Sequence, residues 1–208
     1  AKTDTDGAPL HIVHRDVTPQ NIMVAFDGQV KLVDFGVAKT TLAEELKQAA
    51  LKGKGPYMAP EQWRGADIDG RADLFALGIV LYELTAGKRL FKRSNPDLVR
   101  RAILAGEIMP PADIVADYPR GLEEVVLRAL EVDPAARFQS AAEFSDALAR
   151  VAEDAGLTAS QEEMGDYVSR LFEGVPRDEV FRPLELTAPG HAVEAVAAAQ
   201  RSASLELE

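Results

Sequence analysis

Cysteine is missing from all 208 residues of the chain. Its absence excludes disulfide bonds, thiolate nucleophiles and cysteine-based zinc sites. It also fits a reducing compartment, so we expect a cytoplasmic protein. Long apolar runs are missing too. The longest one, residues 74–84, is too short to cross a bilayer, and no signal-peptide pattern follows Ala1.

Positive charge is in the minority. The chain has 23 lysines and arginines against 34 aspartates and glutamates, which gives a formal net charge of −11. Binding to duplex nucleic acid depends on clustered cations, and docking on an anionic membrane needs them as well. We therefore expect neither partner, although a local basic pocket for a phosphate remains compatible with this charge.

A β-hairpin is indicated near the start of the chain. A short apolar run covers residues 22–26 and an alternating run covers residues 29–33. Between them stands Asp27-Gly28, a strong signal for a two-residue hairpin turn. The pattern predicts a two-stranded ribbon over about residues 21–33.

Helical patterns dominate from Asp73 onward. Apolar residues lie nearly all round the segment that ends at Gly87, so this helix is expected to be central and buried. The other predicted helices are residues 97–104, a face from Leu122 to Leu130, a helix opened by Ser140 with Glu143, a helix opened by Ser160 with Glu163, and a short helix near 192–200. The expected fold is mainly α with one small β-hairpin.

Three short motifs occur in a fixed order. Residues 14–21 read HRDVTPQN, residues 34–36 read DFG and residues 59–61 read APE. In this order, with a hairpin between the first two, they closely resemble the protein kinase family, and bacterial Hanks-type serine/threonine kinases in particular. The resemblance covers residues 1–152 and implies the C-terminal lobe of a kinase. Residues 153–208 are then an extension with one amphipathic helix and a loose end.

The resemblance implies a role for each motif residue. Asp16 is matched to the carboxylate that orients the acceptor hydroxyl and takes its proton. Asp34 and the amide oxygen of Asn21 are matched to Mg²⁺, which prefers hard oxygen ligands and borrows others from ATP. ATP and Mg²⁺ are therefore the expected nucleotide and metal, and a protein hydroxyl is the expected acceptor. Pro19 favours serine or threonine over tyrosine.

Other matched residues are expected to be structural or regulatory. Glu61 is paired by the resemblance with Arg137, and Asp73 with the backbone of the catalytic loop. Arg15 is matched to an arginine that binds a phosphorylated residue in the loop at 39–55, where Thr40 and Thr41 are the available hydroxyls. The alternatives are that Glu44 and Glu45 act as built-in anions, or that both threonines are simply exposed.

Two residues depart from the family pattern. Thr18 stands where serine/threonine kinases usually have a lysine, and Lys54 follows Gly53 where they usually have a threonine. The swap keeps one cation and one hydroxyl, so our hypothesis is that Lys54 supplies the ammonium group and Thr18 the hydroxyl. The alternative is that Lys54 points to solvent.

Half of the expected ATP clamp is not recognisable. The chain shows no glycine-rich phosphate loop, no Val-Ala-Ile-Lys strand and no partner glutamate helix. We expect the missing N-terminal lobe to come from the same gene or from a second chain. On its own, this chain is expected to be inactive, with negligible ATP affinity.

Two other functions are weighed against the kinase. A pseudokinase-like scaffold or regulatory binding module is favoured by Thr18 and opposed by the retained Asp16, Asn21 and Asp34. A small-molecule phosphotransferase of the aminoglycoside or choline type is opposed by the activation segment that ends at residues 59–61. The helix at 161–172 is expected to pack on the lobe, or else to offer a docking face for a regulator or a second copy.

Overall fold

A computed structural model describes residues 12–35 and 55–175. Several predicted features lie outside these ranges: Thr40, Thr41, Lys54, the third residue of the DFG motif, and the helix near 192–200. The chain divides into two compact units, residues 1–168 and 169–208. Of the second unit, residues 169–175 are described.

The predicted hairpin is present, but three residues (26–28) rather than the predicted two connect its strands, because Ala25 lies opposite Gln29. Strand β1 (Ile22–Val24) pairs antiparallel with β2 (Val30–Leu32), with Ile22 opposite Leu32 and Val24 opposite Val30. Gly28 takes a φ of 78° in the turn, a conformation that glycine adopts without steric cost. The Asp27 side chain accepts a hydrogen bond from the N–H of Gln29 at 3.0 Å and so closes the turn.

Helices are the main elements in the rest of the described chain, as the sequence predicts. The helices are α1 (Pro60–Arg64), α2 (Gly70–Ala86), α3 (Pro96–Ala105), α4 (Arg120–Ala129), α5 (Ala141–Asp154) and α6 (Gln161–Leu171). Short 3-10 turns occur at Pro19–Asn21, Gly55–Tyr57 and Pro111–Asp113. None of the helices in the described ranges is long and apolar enough to cross a membrane.

Local capping sets where the helices begin. α2 starts earlier than predicted because the Asp69 side chain accepts the N–H of Arg71. The Ser160–Glu163 capping box forms as expected: Ser160 Oγ accepts the N–H of Glu163 at 3.2 Å, and the Glu163 carboxylate accepts that of Ser160 at 2.7 Å. At α5 the Ser140 cap also forms, but the Glu143 carboxylate accepts the N–H of Gln139 instead.

Helix α2 lies at the centre of the core. Phe75 and Ile79 are completely buried, and they pack with the aromatic and aliphatic side chains that precede α1 and line α3. On the other side, Leu74 packs against Phe138 and Phe144. Leu84 departs from the expected burial, with 77% of its surface exposed. Tyr82 and Ala86 face the core in the last turn, which leaves Leu84 on the opposite side of the helix.

Candidate active site

The backbone before Asp16 is held by a carboxylate from the central helix. Asp73 Oδ2 accepts the N–H of His14 at 2.7 Å, and Oδ1 accepts the N–H of Arg15 at 2.8 Å. Burial raises the pKa of Asp73 above its ordinary value, although the two N–H donors act in the opposite direction. One partly buried carboxylate therefore fixes two consecutive peptide groups of the loop to α2.

His14 connects the HRDVTPQN loop to the segment that contains Asp34. Its Nδ1 accepts the N–H of Asp16 at 3.3 Å, so the ring proton sits on Nε2, which donates to the carbonyl of Val33 at 3.1 Å. The buried imidazole also lies 4.5 Å from the Phe35 ring, centroid to centroid. From the sequence, His14 is recognisable only as part of a motif. Its position directly before Arg15-Asp16 was the available signal.

Asn21 and Asp16 are joined directly. The Asn21 Nδ2 group donates to the main-chain oxygen of Asp16 at 2.7 Å and to its side-chain Oδ2 at 2.8 Å. Both amide hydrogens are thereby used, and Oδ1 is the side-chain atom that could bind a metal ion. The carbonyl of Asn21 also accepts the N–H of Val33 at 2.9 Å, so the residue before Asp34 is tied to the same loop.

Two residues of this region adopt a left-handed backbone conformation. Arg15 has a φ of 65° and Asp34 a φ of 64°. For residues other than glycine this conformation costs about 1–2 kcal/mol, and it persists where the surroundings enforce it. The bonds from Asp73 and His14 supply that enforcement beside both residues. Such strained positions concentrate at functional sites.

The oxygen atoms present fit a magnesium ion that arrives with a nucleotide. Asp34 is exposed and Asn21 keeps its Oδ1, and both are hard oxygen donors. Within residues 12–35 and 55–175, no group of three His, Cys, Asp or Glu side chains is arranged to hold a metal. This donor set suits Mg²⁺, which is commonly held by one or two carboxylates together with substrate phosphates.

Thr18 lies just before the 3-10 turn that leads to Asn21. Its side chain is buried, and within the described ranges its Oγ1 has no hydrogen-bond partner. An unpaired buried hydroxyl is costly, so native structures rarely leave one. Lys54, the predicted companion of Thr18, lies outside the described residues, and the predicted exchange therefore stays a prediction.

Glu61 and Arg137 form a buried ion pair away from this site. The two guanidinium nitrogens each donate to one carboxylate oxygen of Glu61 at 2.8 Å. The other three donors reach the main-chain oxygens of Arg71, Glu131 and Val132. All five N–H groups of Arg137 are therefore satisfied, and the pair fixes α1 to α2 and to the loop before α5.

Helix α6 lies against the turn of the hairpin. Gln161 Nε2 donates to the main-chain oxygen of Asp27 at 3.0 Å. Gly165 faces the same turn, where an added Cβ would lie 2.8 Å from the oxygen of Phe26 and 3.0 Å from the carbonyl carbon of Asp27. The helix and the turn therefore approach each other so closely that only glycine fits at position 165.

Replacing Gly165 with alanine is expected to lower the free energy of unfolding by about 1–3 kcal/mol, because backbone atoms must move to admit the methyl group. In an open helical position the same change usually stabilises by up to about 1 kcal/mol. Gly70→Ala is the matched control, since its added Cβ meets nothing within 4 Å. Urea unfolding of both variants is the measurement. Equal stability of the two would contradict the close packing of α6 on the turn.

Comparison with known proteins defines the class. The protein kinase domain model matches residues 9–151, and on that basis the chain belongs to the protein kinase family. It is 44% identical over 147 residues to the tyrosine-protein kinase MasK of Myxococcus xanthus, and 40% identical over 145 residues to the serine/threonine-protein kinase PknB of Mycolicibacterium smegmatis.

A third relative is a probable serine/threonine-protein kinase of Clostridium perfringens, 36% identical over 156 residues. These three matches cover 70%, 68% and 74% of this chain, respectively, but only 23% of each relative. The chain thus spans about a quarter of the length of the curated relatives that it matches. The predicted membership of a bacterial kinase family is confirmed.

Proposed function

We propose that this chain is the catalytic-lobe part of a serine/threonine protein kinase that transfers the γ-phosphate of ATP to protein hydroxyls. The observation that carries the proposal is the hydrogen-bonded pair of Asp16 and Asn21, joined through His14 to the segment before Asp34. Two carboxylates and one amide oxygen on linked loops are what positioned phosphoryl transfer requires.

In the proposed reaction Asp16 receives the proton of the acceptor hydroxyl as its oxygen bonds to the γ-phosphorus. The bond from that phosphorus to the β–γ bridging oxygen breaks, and ADP carries away the electron pair. Asn21 holds the Asp16 carboxylate by its Nδ2 group, while its Oδ1 and Asp34 serve as metal ligands. Magnesium, when bound, neutralises phosphate charge.

Serine or threonine is the proposed acceptor. Pro19, at the start of the turn to Asn21, supports this choice, but one of the relatives is named a tyrosine kinase. Phosphoamino-acid analysis of a protein substrate, after reaction of the longer protein with labelled ATP, tests it. Label in phosphoserine or phosphothreonine is expected, whereas label in phosphotyrosine alone would refute the choice.

The rest of the kinase domain, from the same gene or a second chain, is the proposed cover of the hairpin. Met23 and Val30 on the hairpin, and Phe35 just after it, each expose more than half of their surface. A two-stranded ribbon with exposed apolar side chains is marginal in water and gains stability when another element packs on it. We therefore expect negligible turnover and ATP affinity from the 208 residues alone.

The exchange of Thr18 and Lys54 is retained as part of the proposal. Support comes from Oγ1 of Thr18, which is buried and has no partner in the described ranges. In the longer protein, Lys54→Thr is expected to lower turnover by about tenfold or more, because a cation near the transferred phosphate is lost. The double variant Thr18→Lys/Lys54→Thr should restore most of it. Unchanged turnover of the single variant would refute the exchange.

Regulation by a phosphorylated residue is also proposed. Arg15, whose backbone is anchored by Asp73, would bind a phosphate on Thr40 or Thr41 through charge-assisted hydrogen bonds. Mass spectrometry of the longer protein after incubation with ATP tests this. If neither threonine carries phosphate while the kinase is active, this mode of activation is refuted.

A scaffold that binds partners without catalysis is the second candidate function. The buried Thr18, where the resemblance expects a lysine, favours it. In this reading α6 would dock a regulator or a second copy through Met164 and Tyr167, which are exposed. ATP binding by the longer protein without phosphate transfer would favour the scaffold. Either activity is proposed to take place in the cytoplasm, with which the absence of cysteine is consistent.

A further inference from the structure

Positive charge is concentrated in one short segment. Residues 88–101 contain six cations (Lys88, Arg89, Lys92, Arg93, Arg100 and Arg101) and one carboxylate, Asp97, which gives a net charge of +5. The whole chain carries −11, so the other 194 residues together carry −16. The segment therefore has a positive net charge in a protein whose net charge is negative. We call its six cations the basic surface.

All six side chains of the basic surface reach solvent. Arg89 pairs with Glu83 at 3.6 Å and Arg93 with Glu107 at 3.7 Å. The other four, Lys88, Lys92, Arg100 and Arg101, have no ion-pair partner within residues 12–35 and 55–175. Four cations are thus left uncompensated beside a core that holds their backbone in place.

That core fixes the geometry of the surface. Leu90 and Phe91, between the two pairs of basic residues in the loop, are buried, and the N–H of Leu90 donates to Glu83 at 3.2 Å. On α3, Val99 and Ala102 face the core, which leaves Arg100 and Arg101 between them directed outward. The cations are therefore displayed on a rigid support, which lowers the entropy cost of binding a partner.

The basic surface borders the segment that leads to the Ala-Pro-Glu motif. The guanidinium group of Arg89 lies 5.8 Å from the centre of the Tyr57 ring and donates to its hydroxyl, which in turn donates to Glu83 at 2.7 Å. Helix α3 packs against the turn Gly55–Tyr57 and against α1. In the proposed function, the segment before residues 59–61 is the end of the activation segment, and the protein substrate would bind beside it.

We propose that the basic surface binds an acidic segment of the protein substrate. The inference rests on the proposed function and adds a substrate class to it. A glutamate- and aspartate-rich segment is attracted by residues 88–101 and repelled by the remaining, strongly acidic surface, so encounters are directed to one place. At physiological salt, screening limits this attraction to about 8 Å, and only residues near the surface contribute.

An acidic polypeptide is favoured over other polyanions by the same charge distribution. Nucleic acids and anionic membranes extend well beyond a 14-residue segment and would bring their charge against the acidic remainder of the chain. A flexible peptide of a few carboxylates matches four uncompensated cations without that repulsion. The basic surface therefore favours a ligand that is both negatively charged and small.

The test is a binding measurement on this chain, which needs no catalytic activity. The probe is a fluorescein-labelled peptide of six consecutive glutamates, followed by fluorescence anisotropy at 25 and 150 mM NaCl. Saturable binding that weakens with salt is expected. Arg100→Glu/Arg101→Glu should weaken it by about tenfold or more. Arg120→Glu/Arg150→Glu, an equal charge change at two exposed helical arginines elsewhere, should weaken it by less than threefold.

Three outcomes would overturn the proposal: absence of peptide binding at 25 mM NaCl, equal weakening by both double variants, or tighter binding of an eight-nucleotide RNA or of phosphatidylserine vesicles than of the peptide. Lys88→Glu/Lys92→Glu provides a second variant in the loop, in case the helical one unfolds. If the longer protein proves to lack kinase activity while the peptide binds as expected, the proposed function fails and the binding surface stands.

Discussion

Replacing Arg137 with methionine is expected to lower the free energy of unfolding by about 3–5 kcal/mol. The change removes a cation whose five N–H groups are all bonded, and it leaves the Glu61 carboxylate buried without a partner. The main-chain oxygens of Arg71, Glu131 and Val132 lose their donor as well. Urea denaturation followed by circular dichroism is the measurement.

Arg120→Met is the matched control for this experiment. Arg120, at the start of α4, also has an ion pair, to Glu124 at 3.2 Å, but 90% of its side chain is exposed. Exposed pairs of this spacing contribute about 0.3–0.5 kcal/mol, so the control should be nearly as stable as the parent. Equal stability of Arg137→Met and the control would show that burial does not make the Glu61 pair important.

A double variant distinguishes two causes of the lower stability: the loss of the ion pair and the unpaired charge that is left on Glu61. Glu61→Leu/Arg137→Met removes both charges together, and a buried ion pair replaced by apolar groups of similar volume is often nearly neutral in stability. We therefore expect the double variant to be more stable than Arg137→Met alone. If the two variants are equally unstable, the unpaired Glu61 charge is not the main cause, and the main-chain oxygens that lose their donor in both variants account for most of the cost.

Replacing Asp16 with asparagine is expected to lower kcat of the longer protein by about 10²–10⁴-fold, because the proton acceptor is lost. The amide keeps an oxygen that can still accept the hydrogen bond from Asn21 Nδ2, so the loop should keep its shape. The apparent KM for ATP should therefore change little. Initial rates of phosphate transfer, measured with ATP and protein substrate each varied, give both constants.

Asp146→Asn is the control for this second prediction, since Asp146 is an exposed carboxylate on α5 far along the chain from the motifs. Its kcat should equal that of the parent. If Asp16→Asn also kept kcat within threefold of the parent, Asp16 would not be the proton acceptor. If it raised KM for ATP with kcat unchanged, the role of Asp16 would be nucleotide binding.

Local chemistry made much of this fold predictable. The Asp27-Gly28 pair predicted where the chain turns but not that the loop has three residues. Gly87 ended α2, and Ser160 with Glu163 opened α6, because each signal depends on residues close in sequence. The motif order predicted the kinase family for the same reason. Leu84 is exposed although the apolar residues nearly all round α2 predicted a buried helix, since helical periodicity does not tell which face the last turn presents.

Long-range contacts were less accessible to sequence reasoning. The resemblance predicted that Glu61 pairs with Arg137. It did not predict the three main-chain oxygens that accept hydrogen bonds from the remaining N–H groups of Arg137. The hydrogen bond from His14 Nε2 requires the carbonyl of Val33, which follows the hairpin. The need for glycine at position 165 comes from its contact with a turn more than a hundred residues earlier. Such contacts are set by packing of whole elements, for which a single sequence carries no local signal.

The contact between α6 and the hairpin also bears on synthesis of the chain. Gln161 and Asp27 are 134 residues apart. At 5–20 residues per second, a ribosome needs roughly 7–27 s to make the stretch between them. Throughout that interval the hairpin turn lacks the helix that packs against it in the folded chain. During that interval the nascent strands can pair with other chains or bind a chaperone.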